Sequence, residues 1–187
     1  MKANVYLIFL VFLFMGCSNH PPNDLFKTTD GEYASKMGRF VAAYPSKPFH
    51  YIAQRKLDDQ SDLHHEFHLI RSTFGDRKVF SVEYFEMDED FQDHTSTKEI
   101  FDLLKKDIQD FLEDVDFVLD YTSGTNIQGF KGFFFSFQPN AKLKRQMPKA
   151  RAEGKVVIRE NRVYYMYYFG IIDRQADKFL ESFRFTK

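Results

Sequence analysis

His64-His65-Glu66-Phe67-His68 is the densest run of metal-ligand side chains in the chain. It does not form the His-Glu-x-x-His pattern of zinc hydrolases, because Leu69 stands where the second histidine belongs. The alternation around it reads as a strand, which puts His64, Glu66 and His68 on one face at two-residue spacing. Those three could supply part of a zinc or copper shell, with further ligands from elsewhere. The plainer reading is a solvent-facing strand surface opposite His65, Phe67 and Leu69. Asp88-Glu89-Asp90-Phe91-Gln92-Asp93, followed by Glu99, has the acidity of a calcium loop, but Asp93 holds the sixth position that needs glycine. It reads as a solvated acidic loop. Lys142, Lys144, Arg145, Lys149 and Arg151 fall within ten residues around Met147-Pro148 and read first as a solvated basic loop, with an interaction loop as the alternative. Such a loop could touch anionic headgroups or an acidic partner. It holds no aromatic residue to stack a base, which argues against single-stranded nucleic acid. No Gly-x-Ser-x-Gly elbow, Walker loop or Gly-x-Gly-x-x-Gly occurs. The expectation is a non-enzyme without cofactor, with an acid/base pair assembled only by the fold left open.

Cys17 is the sole cysteine. It follows Lys2 and the 11-residue apolar run Val5 to Met15. As a helix that run would rise roughly 16 Å, about half of a bilayer's hydrocarbon core. This is the length of a signal-peptide apolar segment and short for a membrane span. With Gly16 before the cysteine and polar Ser18-Asn19 after it, the segment resembles a bacterial lipoprotein signal. Phe14 takes the position where such signals usually carry leucine, and Leu13 lies one residue further back. The rivals are an ordinary secretory signal with a chance cysteine and an uncleaved anchor. The resemblance implies removal of residues 1–16 and a lipid on Cys17. Several acyl chains at about 0.8 kcal/mol per buried CH₂ hold firmly where a single chain is marginal. With Ser18 in place of the aspartate of inner-membrane retention, the signal resembles one for outer-membrane sorting in a cell with two membranes; the expected location is the cell envelope, at the periplasmic face of that membrane.

Removing 16 of the 187 residues leaves 171, an ordinary size for one domain with its own core. Without Lys2 the formal net charge moves from −1 to −2, which is no electrostatic footprint for nucleic acid. No cysteine remains for a disulfide, so packing alone must hold the fold. The 23 phenylalanines and 10 tyrosines, with no tryptophan, predict an aromatic core.

Residues 17–36, polar and bearing Pro21-Pro22 and Asp30-Gly31, read as the lipidated cysteine and a flexible tether. Residues 37–187 read as one globular domain. Strand signals run from Phe40 to Tyr44, His50 to Leu57, His65 to Arg71 and Val79 to Met87, with a turn at Gly75-Asp76, forming an antiparallel meander. Ser96-Thr97-Lys98-Glu99 is a capping box for a helix whose apolar stripe is Ile100, Leu104, Ile108, Phe111 and Val115. Phe117, Leu119 and Tyr121 alternate next, and Gly124 and Gly129 read as breaks. Phe133, Phe135 and Phe137 share a face. Gly154 is read as opening a strand to Arg159, and Glu160-Asn161 turns into Arg162 to Gly170. That last strand is apolar on both faces, Tyr164, Met166 and Tyr168 against Tyr165, Tyr167 and Phe169, and therefore belongs in the centre of a covered sheet. The same logic keeps Phe133 to Phe137 off an exposed edge. Ala176, Phe179, Leu180 and Phe183 mark a C-terminal helix, with a final strand at Arg184-Phe185. The fold class is α+β, a mainly antiparallel sheet flanked by helices.

Gly129-Phe130-Lys131-Gly132, Gly154-Lys155-Val156, Asn161-Arg162-Val163-Tyr164-Tyr165-Met166 and Asp177-Lys178-Phe179-Leu180-Glu181-Ser182-Phe183, with the Tyr-Pro-x-x-Pro ending at Pro48, resemble the PsbP/Mog1-like superfamily. The resemblance implies an α/β/α sandwich and a mostly non-enzymatic role in stabilising or binding other proteins. It carries no catalytic residue. The functional expectation is a lipid-anchored cell-envelope protein acting as an interaction or assembly-support domain, with the membrane and an envelope protein as partners. The rival is a ligand- or metal-binding lipoprotein.

Overall fold

A computed structural model describes residues 24–57, 64–75, 78–89, 91, 95–171 and 173–187. Cys17, Asp76, Asp90, Gln92 and Asp93 lie outside the described residues.

Seven antiparallel strands form the main sheet: β4 (Phe49–Arg55), β5 (His65–Thr73), β6 (Val79–Glu86), β7 (Phe117–Ile127), β8 (Phe130–Pro139), β9 (Ala150–Arg159) and β10 (Arg162–Ile171). Their spatial order is β4-β5-β6-β10-β9-β8-β7. The strand that is apolar on both faces, β10, is the middle one, and the phenylalanine-rich β8 is one place in from the edge. Helix α1 (Thr97–Glu113) covers one face with Ile100, Leu104, Ile108 and Leu112, packed on Phe67, Phe135, Phe137, Tyr165 and Tyr167. Its start is the expected capping box: Ser96 Oγ accepts from the Glu99 amide, and Glu99 accepts from the Ser96 amide at 2.8 Å. Phe111 and Val115, expected on the stripe, are only partly buried at its margin.

The opposite face is covered by α3 (Arg174–Ser182) and a second sheet, ordered β1-β2-β3-β11. Its strands are β1 (Leu25–Lys27), β2 (Tyr33–Ser35), β3 (Phe40–Ala42) and β11 (Arg184–Phe185). Here Phe40, Tyr44, Phe179, Phe183 and Phe185 pack on Phe80, Tyr84, Tyr164 and Tyr168. The cover is thus part sheet, where helices were expected on both sides. It also corrects the tether: residues 25–27 and 33–35 belong to the fold, tied by a Ser35 hydroxyl donating to the buried Asp24 carboxylate.

Two glycines read as punctuation lie inside strands. Gly124 is in the middle of β7, where nothing lies within 4 Å of a Cβ position. Gly154 is in the middle of β9, opposite Tyr167 of β10 and Phe135 of β8. A Cβ there would sit 2.5 Å from the Met166 carbonyl oxygen and 2.6 Å from the Phe135 ring. The aromatic layer is built around that missing side chain. Gly154→Ala is expected to cost about 3 kcal/mol through overpacking, read as a lower denaturation midpoint; wild-type stability would mean that the strands can separate without cost.

Candidate functional site

Two polar clusters flank β4, β5 and β6, one on each face. On the α1 face, Glu83 is 3% exposed and receives four donors or cations. Arg71 Nη2 lies 2.9 Å from its Oε1, Ser81 Oγ donates at 3.2 Å, Arg55 Nη1 approaches Oε2 at 3.7 Å, and the Tyr167 hydroxyl donates directly. Asp107 of α1 completes the network by accepting from Arg55 Nη2 at 2.8 Å. Arg55 also lies 4.0 Å over the Phe67 ring. Burial alone pushes the Glu83 carboxyl up, but Arg71 and Arg55 outweigh it and hold it below the ordinary carboxylate range. For Asp107 burial wins over Arg55, and its carboxyl is raised. The two arginines and two carboxylates match in charge. The arrangement holds ions in place, with the Ser81 and Tyr167 hydroxyls both turned to the Glu83 carboxylate.

On the other face, His50 of β4 and His68 of β5 meet diagonally, His50 Nε2 lying 3.1 Å from His68 Nδ1. Glu66 Oε1 lies 3.4 Å from His68 Nε2. The His68 ring stacks flat on Tyr84 at 4.6 Å, and Arg162 lies over the same tyrosine at 5.1 Å. Burial and the neighbouring His68 push His50 down to about 4, and burial lowers His68 as well.

These contacts decide the histidine motif. His64 lies exposed just ahead of β5, Glu66 is exposed on it and His68 is half-buried. His68 Nδ1 meets His50, a residue that the motif did not contain, and its Nε2 lies near Glu66. Among the described residues no group of three or more His, Cys, Asp or Glu is placed to hold a metal ion. Of the calcium-like run, Asp90, Gln92 and Asp93 lie outside the described residues; Asp88 Oδ1 accepts from the Phe91 amide at 2.7 Å, and Glu99 is spent on the cap.

The basic segment is not a loop. Lys142, Lys144 and Arg145 sit on α2 (Ala141–Gln146), whose cap Asn140 accepts from the Lys142 and Leu143 amides. Lys149 is in a turn and Arg151 belongs to β9. Lys142 pairs with Asp116 at 2.6 Å and Arg151 with Asp120 at 3.1 Å. Lys144 and Arg145 lie in the last turn of α2, where cations oppose the helix dipole. Two of the five cations are thus answered within the domain, while Lys144, Arg145 and Lys149 are exposed to solvent.

A cleft of about 270 Å³ opens beside the start of α1, lined by Met87, Thr95, Ile100, Phe101, Lys131 and Ile158 among others. It is smaller than a usual small-molecule site, and no residue of either polar cluster is among its lining residues.

Each cluster has a measurable consequence. Glu83→Gln leaves Arg71 facing only neutral groups and Arg55 with Asp107 as its one carboxylate, and is expected to cost about 3 kcal/mol in chemical denaturation; a loss near zero would mean that water, not Glu83, satisfies the arginines. The histidines resist protonation when folded, whereas in the unfolded chain they titrate near 6.5. Their contribution is therefore complete above about pH 6.5 and is lost as pH falls towards about 4. His50→Asn should flatten that part of the stability profile; an unchanged slope would reject the pair as its source.

No protein-family model matches the sequence, and no curated protein does either. Among solved structures the chain is similar to the solution structure of cyanobacterial PsbP (CyanoP) from Synechocystis sp. PCC 6803. The match has a TM-score of 0.52 at 12% identity and covers 92% of this chain and 99% of that one. At such identity the likeness speaks for the backbone arrangement, and the arrangement is an α+β PsbP-like fold.

Proposed function

We propose that this chain is a non-catalytic, lipid-anchored cell-envelope protein whose PsbP-like domain serves as an interaction or assembly-support module. The observation that carries the reading is that both faces of the main sheet are filled by packed aromatic side chains, with Phe135, Phe137, Tyr165 and Tyr168 all at 1% exposure or less. Function is then left to the outer surface. The buried ions favour the same reading, since each is answered by a partner of the fold. The anchor rests on sequence: the apolar run, Gly16 and Cys17 together, with Ser18 in favour of the outer membrane. The domain starts by Leu25, so the tether from Cys17 is short and the domain works close to the lipid surface.

Cys17→Ser is expected to release a folded domain into the soluble fraction, checked by fractionation and circular dichroism; a variant that stays with the membrane would reject the lipid anchor. Pull-down of the wild-type protein from detergent-solubilised membranes should bring a stoichiometric envelope protein with it. Repeated recovery without any other protein would count against the assembly role.

A further inference from the structure

The two ends of the main sheet are finished differently. At one end β4 follows Pro48 and closes in Arg55, whose charge is held by Glu83 and Asp107. Proline and charge are the usual means of blunting a free edge. At the other end β7 has two halves. The first carries Asp120 at a bulge between Leu119 and Tyr121, with Arg151 paired to it. The second, Tyr121–Ile127, is in unbroken register with Phe130 to Ser136 of β8 and contains neither a charge nor a proline. Residues 121–124 and 126 are exposed, and among the described residues no strand pairs with the outer side.

This stretch is complementary to itself. Its midpoint is Gly124. An antiparallel copy turned about that residue sets Gly124 opposite Gly124, Ser123 opposite Thr125, Thr122 opposite Asn126, and Tyr121 opposite Ile127. Small polar groups meet small polar groups, and the exposed Tyr121 meets the strand end at Ile127, whose own side chain is packed in the core. The two-residue period keeps each pair on one face of the sheet. Tyr121, 51% exposed and 5.7 Å from the Phe134 ring, would cover the end of the partner's strand. An axis moved by one residue runs one end of the pairing into the Asp120 bulge and strands the other. A two-fold contact needs this kind of self-complementary patch, and the open space at Gly124 lets two backbones meet on the axis.

We propose that two copies of this chain associate through Tyr121–Ile127 of β7, antiparallel about Gly124, so that one sheet runs through both. The proposal goes beyond the anchoring and assembly reading and does not depend on it. The test is sedimentation of the full-length protein in detergent. The wild type should sediment as a dimer. Gly124→Lys, which sets two ammonium groups across the axis in space the monomer leaves empty, should weaken the dimer at least about tenfold with the melting temperature of the monomer unchanged. Gly124→Cys in a Cys17→Ser background should cross-link to a dimer on oxidation, because facing Cα atoms in antiparallel pairs lie within disulfide reach. A monomeric wild type, or a dimer indifferent to Gly124→Lys, would overturn the proposal. If the lysine variant does not fold, absence of the Gly124→Cys cross-link overturns it instead.

Discussion

Everything in this domain follows from the need to cover both sides of β10. Tyr164, Met166 and Tyr168 point one way, and Tyr165 and Tyr167 the other, each no more than 2% exposed. Burying an aromatic side chain removes some 150–250 Å² from water, so a strand with such groups on both faces cannot be left at a surface. One cover is continuous: α1 supplies a stripe of four buried aliphatic residues. The other is assembled from both ends of the domain. β3 pairs with β11, the Tyr164 hydroxyl donates to the Gly38 carbonyl, and Arg159 donates to the Thr186 carbonyl. The first and last described strands are thus held to the middle strand by the same aromatic layer.

An aromatic core of this kind has a weakness. Many of its rings are alike in size and chemistry, and a strand slipped by two residues would still bury rings. The Glu83 network is positioned to forbid that slip. It ties β4, β5, β6, β10 and α1 through Arg55, Arg71, Glu83, Tyr167 and Asp107, and only one register brings all five together. Burying these ions need not add net stability, because desolvation offsets attraction. Its use here is selective: any misregistered state leaves a charge in an aromatic interior.

The sequence displayed the parts of this plan that repeat. The double-faced apolarity of β10 and the phenylalanine alternation of β8 predicted their places in the sheet, and the Ser96-Glu99 box predicted the start of α1. It was silent where structure depends on distant partners. β1 and β2 are three residues each, too short for any period, and are fixed by Asp24, Ser35 and the pairing with β3. α2 buries no residue, so no apolar stripe marked it, and its lysines read as a solvated loop. His50 stands 18 residues from His68; only the hairpin of β4 and β5 makes them neighbours, and without it the nearby His64 and Glu66 were the natural companions. Glycine misled in both directions. Gly154 lies inside its strand because neighbouring backbone and ring occupy the room of a side chain, and Gly124 lies inside its own because nothing packs there.

That last contrast bears on where function can reside. A glycine forced by crowding and a glycine surrounded by empty space look identical in sequence, yet the first is explained by its own domain and the second is not. The same test sorts the rest of the molecule. Arg55, Arg71, Glu83, Asp107, His68, Lys142 and Arg151 each have a partner inside the domain that accounts for charge or hydrogen bonding. The outer half of β7 does not: its backbone is extended and regular on one side and unanswered on the other, and Val118, Leu119 and Tyr121 nearby remain 40–51% exposed. Glycine lowers strand stability when it packs against nothing, and an uncharged free edge invites pairing. Both costs fall on the same few residues. The internal requirements of the fold leave that combination unexplained, and a contact beyond the domain supplies the missing reason.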